Sequence, residues 1–353
     1  MILFILTNRT ASAQEQMILD SIGMDELIVY ADEAGFDLRD WLSAILSGSA
    51  FPNTALSDLF DKIKEIIIAD GVRILALSFA ASGILSMLRM TVQNSESRIT
   101  TALLCRIFII SELCILFIRA RSAATDLIES SIACTNVISP VMIAASAMAG
   151  TEASAATVSS LTGICSSTVE LALGSWGIAI ASACVCIAVS GNLCRSLTLN
   201  RMHSLFARLI RWACGGLLAS FLALMNLQGR IGSARDSAAV RTTRYAIENL
   251  IPGVGGNVSD SLDTLLSTAR LVRNAVGTSG LLLIVHICVV PFIKIAISAL
   301  ICRLAAAICE PLEGNVLPPL LEQFAEAMNL LLILSVTAVV ICGLLIGGYM
   351  NAA

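Results

Sequence analysis

The run 328–349, MNLLLILSVTAVVICGLLIGGY, contains no charged residue. A helix needs about 20 mainly apolar residues to cross the hydrocarbon core of a bilayer, and this run meets that length. Comparable runs fall at 72–90, 99–118, 127–149, 171–193, 209–227 and 278–301, with a smaller and more polar one at 151–170. The count is seven or eight spans, depending on whether 151–170 crosses. Lipid offers no water to backbone N–H and C=O groups, and a helix satisfies them within its own segment. Composition agrees: 57% of the 353 residues are hydrophobic and only 14% charged, with a mean hydropathy of +0.86. A soluble chain of this size would need more polar surface to cover itself. The sequence therefore predicts an all-α, polytopic membrane protein with a small amphipathic helical N-terminal region.

Charge is unevenly placed. Residues 14–65 hold eleven acids against three bases, a net −8, whereas the remainder is mildly basic and apolar. Ahead of this acidic stretch, a short apolar run ends in Ala11-Ser12-Ala13, the small-residue pattern of a signal-peptide cleavage site. Residues 1–13 are accordingly expected to be a truncated signal peptide, 14–65 an acidic helical extracytoplasmic region, and 66–353 the multipass domain. The positive-inside rule leaves two orientations open. Arg195, Arg201, Arg208 and Arg211 favour a cytoplasmic 195–211, which agrees with an outside head only if 151–170 crosses.

The segment 228–276 stands apart from the spans. Its first part is an expected helix with Arg241, Arg244 and Glu248 on one side, and PGVGG at 252–256 breaks it. Leu262, Leu265, Leu266, Ala269, Val272 and Val276 then recur at helical spacing, opposite Asp260 and Asp263. Two readings fit: an interfacial or re-entrant hairpin, or an exposed loop. Candidate functional residues here are Arg241, Arg244, Tyr245, Pro252, Gly253, Gly255, Gly256, Asp260 and Asp263. Ionisable residues inside spans are functional pointers in membrane proteins, which adds Arg106, Glu112 and Lys294. Arg106 and Glu112 are six positions apart and do not share a helix face.

Signals for enzyme chemistry are missing. No lysine follows a glycine, so there is no phosphate-binding loop. His203 and His286 are the only histidines, too few for a multi-histidine metal site. His203 is expected at a solvated surface and His286 as a packing residue. None of the twelve cysteines forms a C-x-x-C, and most lie in apolar runs, where they behave as small hydrophobes. No catalytic residue, cofactor or nucleic-acid partner is expected. Gly215-Gly216, the Ala/Ser-rich 144–160 and Gly343-x-x-x-Gly347 predict close helix packing and permit homo-oligomerisation.

The stretch 240–311 is more specific than its composition. It carries R-T-x-R-Y (Arg241 to Tyr245), I-P-x-V-G (Ile251 to Gly255) and S-D-x-x-D-T (Ser259 to Thr264). V-x-N-A-V-G (Val272 to Gly277), P-x-x-K (Pro291 to Lys294) and A-A-A-I-x-E-P-L (Ala305 to Leu312) follow. In order and spacing these resemble the stage III sporulation protein AE family of endospore-forming bacteria. The resemblance implies a multipass protein of the mother-cell membrane around the engulfed forespore. Its partners would be the other stage III sporulation operon A proteins, including a secretion-ATPase-like companion, and a forespore-side channel protein. Together they would form a channel that sustains late forespore development and gene expression. A stand-alone secondary transporter is the competing reading, prompted by Pro291, Lys294 and the glycine break. Such transporters carry paired broken helices in inverted repeats, and the first half holds no second copy of the 228–301 pattern.

Overall fold

The structure is a computed structural model that describes residues 24–36, 38, 76, 80, 83, 95–193, 200–250, 255–313 and 317–351. Every regular element among them is helical: α1 (Asp25–Glu33), α2 (Ser95–Met148), α3 (Glu152–Val169), a π-helical stretch (Glu170–Gly177) and α4 (Ile178–Leu193). Then come α5 (Asn200–Leu250), α6 (Gly255–Glu313) and α7 (Leu317–Met350).

The helices are longer than the apolar runs that predict them. Residues 99–118 and 127–149, read as two spans, are one helix, α2, with Pro140 inside it. Likewise 151–170 and 171–193 are one continuous rod, α3 through α4. The intervening polar residues, such as Arg121, Ser122 and Asp126, do not stop a helix, because a stop needs a chain reversal. One occurs at Gly150 (φ 72°), where its N–H reaches Ala147 and that of Thr151 reaches Ser146. This is the glycine-capped helix end, in which a left-handed residue satisfies two otherwise unpaired carbonyls. Among the described residues four stretches are long and apolar enough to cross a membrane: Glu152–Asn192, Arg201–Leu227, Leu266–Pro311 and Leu317–Met350. Of the expected span 72–90, residues 76, 80 and 83 are described, each helical; the rest lies outside the described residues.

α6 and α7 form an antiparallel hairpin. Near one end Gly277 of α6 lies against Met350; further along, Gly343 of α7 meets Leu281. α2 joins them where Gly280 would place a Cβ 2.9 Å from Ile138. The α3–α4 rod runs antiparallel to α7, with Gly177 tight against Leu334. α5 packs alongside, Met225 filling the space beside Gly348. Close approach thus falls at Gly177, Gly277, Gly280 and Gly348. Of the glycines singled out from the sequence, Gly343 meets Leu281, whereas among the described residues nothing stands within 4 Å of a Cβ at Gly215, Gly216 or Gly347. The ten described cysteines are free thiols, and eight are buried.

α1 docks on this bundle by one face. Leu27 and Ala31 are fully buried, while Asp25, Glu26, Asp32 and Glu33 point outward. A second glycine-capped end, at Gly35 (φ 72°), turns the chain so that Phe36 meets His286 of α6, ring centroids 5.3 Å apart. The Tyr30 hydroxyl donates to the Ser130 carbonyl of α2 at 3.3 Å.

Candidate functional site

Polar side chains join different helices at two levels towards the ends of this bundle, while buried hydroxyls between them, such as Ser131, Thr135 and Ser335, donate to carbonyls of their own helices. The first is where α2, α3, α6 and α7 converge. Arg273 is only 2% exposed. Its Nη1 donates to Thr151 Oγ1 at 2.9 Å and its Nη2 to the Met350 carbonyl at 3.0 Å. Thr151 Oγ1 in turn donates to the Ser146 carbonyl at 3.1 Å. The reason a guanidinium can be buried here is local. α2 and α7 both end beside it, and helix C-termini carry partial negative charge from their unpaired carbonyls.

Tyr349, fully buried, belongs to the same level. Its hydroxyl is 2.7 Å from Ser139 Oγ of α2 and 3.1 Å from Thr162 Oγ1 of α3. Thr162 uses its own proton on the Val158 carbonyl at 3.0 Å. The order that satisfies all three is therefore Ser139 to Tyr349 to Thr162 to Val158, each hydroxyl donating once. Such chains polarise one another and fix the register of the helices that carry them.

The second level lies towards the other end of α7. Glu326 receives Arg211 Nη2 at 3.2 Å and faces His203 Nδ1 at 3.4 Å, both from α5. One turn away, Asn192 of α4 donates to Gln323 at 2.9 Å. His203 is 3% exposed, so it is a buried partner of Glu326 and not the solvated surface group its sequence surroundings predict. Along α7 the two levels, Glu326 and Tyr349, are about 34 Å apart at 1.5 Å per residue. That is close to the roughly 30 Å of a bilayer's hydrocarbon core.

The residues chosen from the sequence are dispersed. Arg106 is buried on α2, Glu112 half-buried on the same helix, and Lys294 exposed on α6. Arg241 is exposed on α5. Arg244 and Tyr245 follow it on α5, and Gly255, Gly256, Asp260 and Asp263 lie on the first turns of α6. Pro252 and Gly253 lie outside the described residues. The two halves of 228–276 continue without interruption into the long helices on either side, α5 and α6. Sequence reasoning passed over Arg273, although it occupies the variable position of the V-x-N-A-V-G motif. It also passed over Tyr349 and Glu326. Among the described residues no three acidic, histidine or cysteine side chains gather in a group that could hold a metal ion. What the arrangement does chemically is hold helix ends together.

The comparisons with known proteins agree with the resemblance carried by 240–311. The chain is 24% identical to stage III sporulation protein AE of Bacillus subtilis (strain 168), over 96% of this chain and 88% of that protein. No solved structure matches it. The model of the stage III sporulation protein AE family matches residues 45–350, nearly the whole helical body, and the chain belongs to that family.

Proposed function

We propose that this protein is a multipass subunit of a channel-like, secretion-like complex that joins the mother cell to the engulfed forespore. Its place is the mother-cell membrane around the forespore, and its role is to support late forespore development and gene expression. The match over residues 45–350 carries this reading, because it covers the bundle as a whole. The bundle suits an assembly subunit: long apolar helices are tied at two levels by hydrogen bonds, and the segment 228–276 extends two of them. In this reading the other stage III sporulation operon A proteins, the secretion-ATPase-like companion among them, are its partners, along with a forespore-side channel protein.

The experiment is isolation of the tagged full chain from membranes of its sporulating host. Recovery with the companion proteins, and a block in forespore development when the chain is deleted, is the expected result. Recovery alone, with stabilisation by a small solute, would favour a stand-alone transporter and end the proposal.

A further inference from the structure

The face of α5 turned away from the bundle changes character at Trp212. His203, Ala207, Ile210, Cys214 and Phe221 recur at helical spacing and are buried against the bundle. Opposite them Arg201, Leu205, Arg208 and Trp212 fall on one stripe, and all four are exposed. Trp212 is 82% exposed, so its indole meets whatever surrounds the bundle. Arg208 lies about 6 Å along the helix from Trp212, and Arg201 about 10–11 Å further.

Arg201 and Arg208 differ from their neighbour Arg211, which sits on the flank of the same helix and is held by Glu326 at 3.2 Å. Among the described residues no carboxylate pairs with Arg201 or Arg208, and α5 carries no acid before Asp236. On the other side of Trp212 the chain has no charge as far as Gly229. Its exposed polar side chains there are turned back onto their own helix. Ser220 Oγ donates to the Leu217 carbonyl and Asn226 Nδ2 to the Leu222 carbonyl, each at 2.8 Å. Polar groups satisfied within one helix need neither water nor a partner, which is what hydrocarbon demands. Leu222, Leu224 and Leu227 are exposed around them.

We infer that this face of α5 binds an anionic phospholipid, with Arg201 and Arg208 on the headgroup phosphate, Trp212 at the interface and an acyl chain along the helix beyond it. A guanidinium fork matches phosphate oxygens in a bidentate way. A tryptophan keeps its ring in the apolar layer and its N–H in the wet one. Two bases with no acid beside them favour a headgroup of net negative charge over a zwitterionic one. A helix from another protein would have to bring carboxylates to the arginines and purely apolar contacts to the rest of the face. A phospholipid carries both in one molecule. The boundary between headgroup and chain is set by the residues of α5 itself, and the inference needs a membrane-embedded chain but not the channel role.

Trp212 becomes its own reporter once Trp41 and Trp176 are replaced by phenylalanine, which leaves one indole in the chain. The full chain is reconstituted in vesicles of phosphatidylcholine and phosphatidylglycerol, with brominated acyl chains on one lipid or on the other. Bromine quenches the indole on contact. The expected result is preferential quenching by brominated phosphatidylglycerol at equal mole fraction, with an association ratio of about fivefold for each arginine engaged. Arg201→Gln or Arg208→Gln should reduce that ratio, and the double variant should bring it close to one, whereas Arg208→Lys keeps a preference. Unchanged unfolding midpoints and unchanged quenching by phosphatidylcholine identify folded variants. Equal quenching by both lipids in the parent chain would overturn the headgroup site. Quenching by neither would mean that protein, such as a second copy, covers Trp212, and would overturn it too. A preference erased by inorganic phosphate but not by chloride at the same ionic strength would reassign the arginines to a soluble anion and end the lipid proposal.

Discussion

The guanidinium of Arg273, in α6, donates to the carbonyl of Met350, the last residue of α7, at 3.0 Å. Its other terminal nitrogen holds Thr151, in the turn that reverses α2 into α3. One side chain therefore ties three chain segments at a single level. Hydrogen bonds to charged groups contribute about 1.5–3 kcal/mol each, and a buried donor or acceptor left unpaired costs more than the bond itself. Arg273→Met should lower stability by about 3 kcal/mol on that scale. Thermal unfolding in detergent checks this, with limited proteolysis at 148–152 as the local readout. Arg273→Lys should rescue little, because a single ammonium cannot reproduce a planar fork aimed at two acceptors.

Tyr349→Phe removes one hydroxyl from the chain that runs from Ser139 to Val158. The expected loss is about 1–2 kcal/mol, since the ring's packing is retained while Ser139 loses its acceptor and Thr162 a donor. Ser139→Ala in the same background should cost much less than it does alone, because its partner is already gone. Equal costs in both backgrounds would mean that the 2.7 Å contact contributes no coupling.

The helical class was legible because apolar runs as long as 328–349 admit little else. Helix boundaries were less so. Arg121 and Asp126 resemble loop residues in a linear reading, yet nothing near them supplies the left-handed residue that Gly150 provides one span later. The site was hidden for a different reason. Ser139 and Tyr349 are distant in sequence, and no periodic pattern records that their hydroxyls meet. Arg273 lay inside a motif that was noticed, but only the C-termini of α2 and α7 beside it explain why a charge sits there. The glycines show the same limit: Gly215-Gly216 and Gly280 look alike in sequence, and only Gly280 has Ile138 against it.

That difference can be measured. Gly280→Ala puts a methyl 2.9 Å from the Cδ1 of Ile138, a branched side chain in a packed seam. Overpacking of this kind costs about 1–3 kcal/mol. Among the described residues, nothing stands near a methyl at Gly215 or Gly216. Gly215→Ala and Gly216→Ala should leave stability unchanged or raise it by up to roughly 1 kcal/mol, through alanine's better helix propensity. Denaturation of the three variants in one detergent decides the order.

Glu326 holds two partners of unlike kind. Arg211 is about half-exposed, and an ion pair of that sort contributes about 0–1 kcal/mol. His203 is buried and faces the carboxylate at 3.4 Å. Removing the acid leaves its Nδ1 without that partner, whereas removing Arg211 leaves Glu326 able to turn to water. Glu326→Leu should therefore be clearly more destabilising than Arg211→Ala, in unfolding midpoints compared at one pH. Equal effects would mean that His203 finds another partner at no cost.

Lys294 carries the same charge as Arg273 on the same helix, and the expected outcome is opposite. The α6–α7 hairpin sets its depth: with Arg273 beside Met350 and Leu281 beside Gly343, the level of Glu326 falls near residues 297–298 of α6. Lys294 is then only about 5–6 Å along α6 from that level, and its exposed side chain carries the ammonium on a four-carbon stem. Snorkelling asks for length and a polar tip and for no fixed partner. Lys294→Arg and Lys294→Gln should accordingly leave membrane abundance, unfolding midpoint and sporulation close to those of the parent chain. A network with Glu112 would behave otherwise, because losing one buried charge is worse than losing both. Strong defects in Lys294→Gln and Glu112→Gln that are relieved in the double variant would therefore place the ammonium in a buried pair.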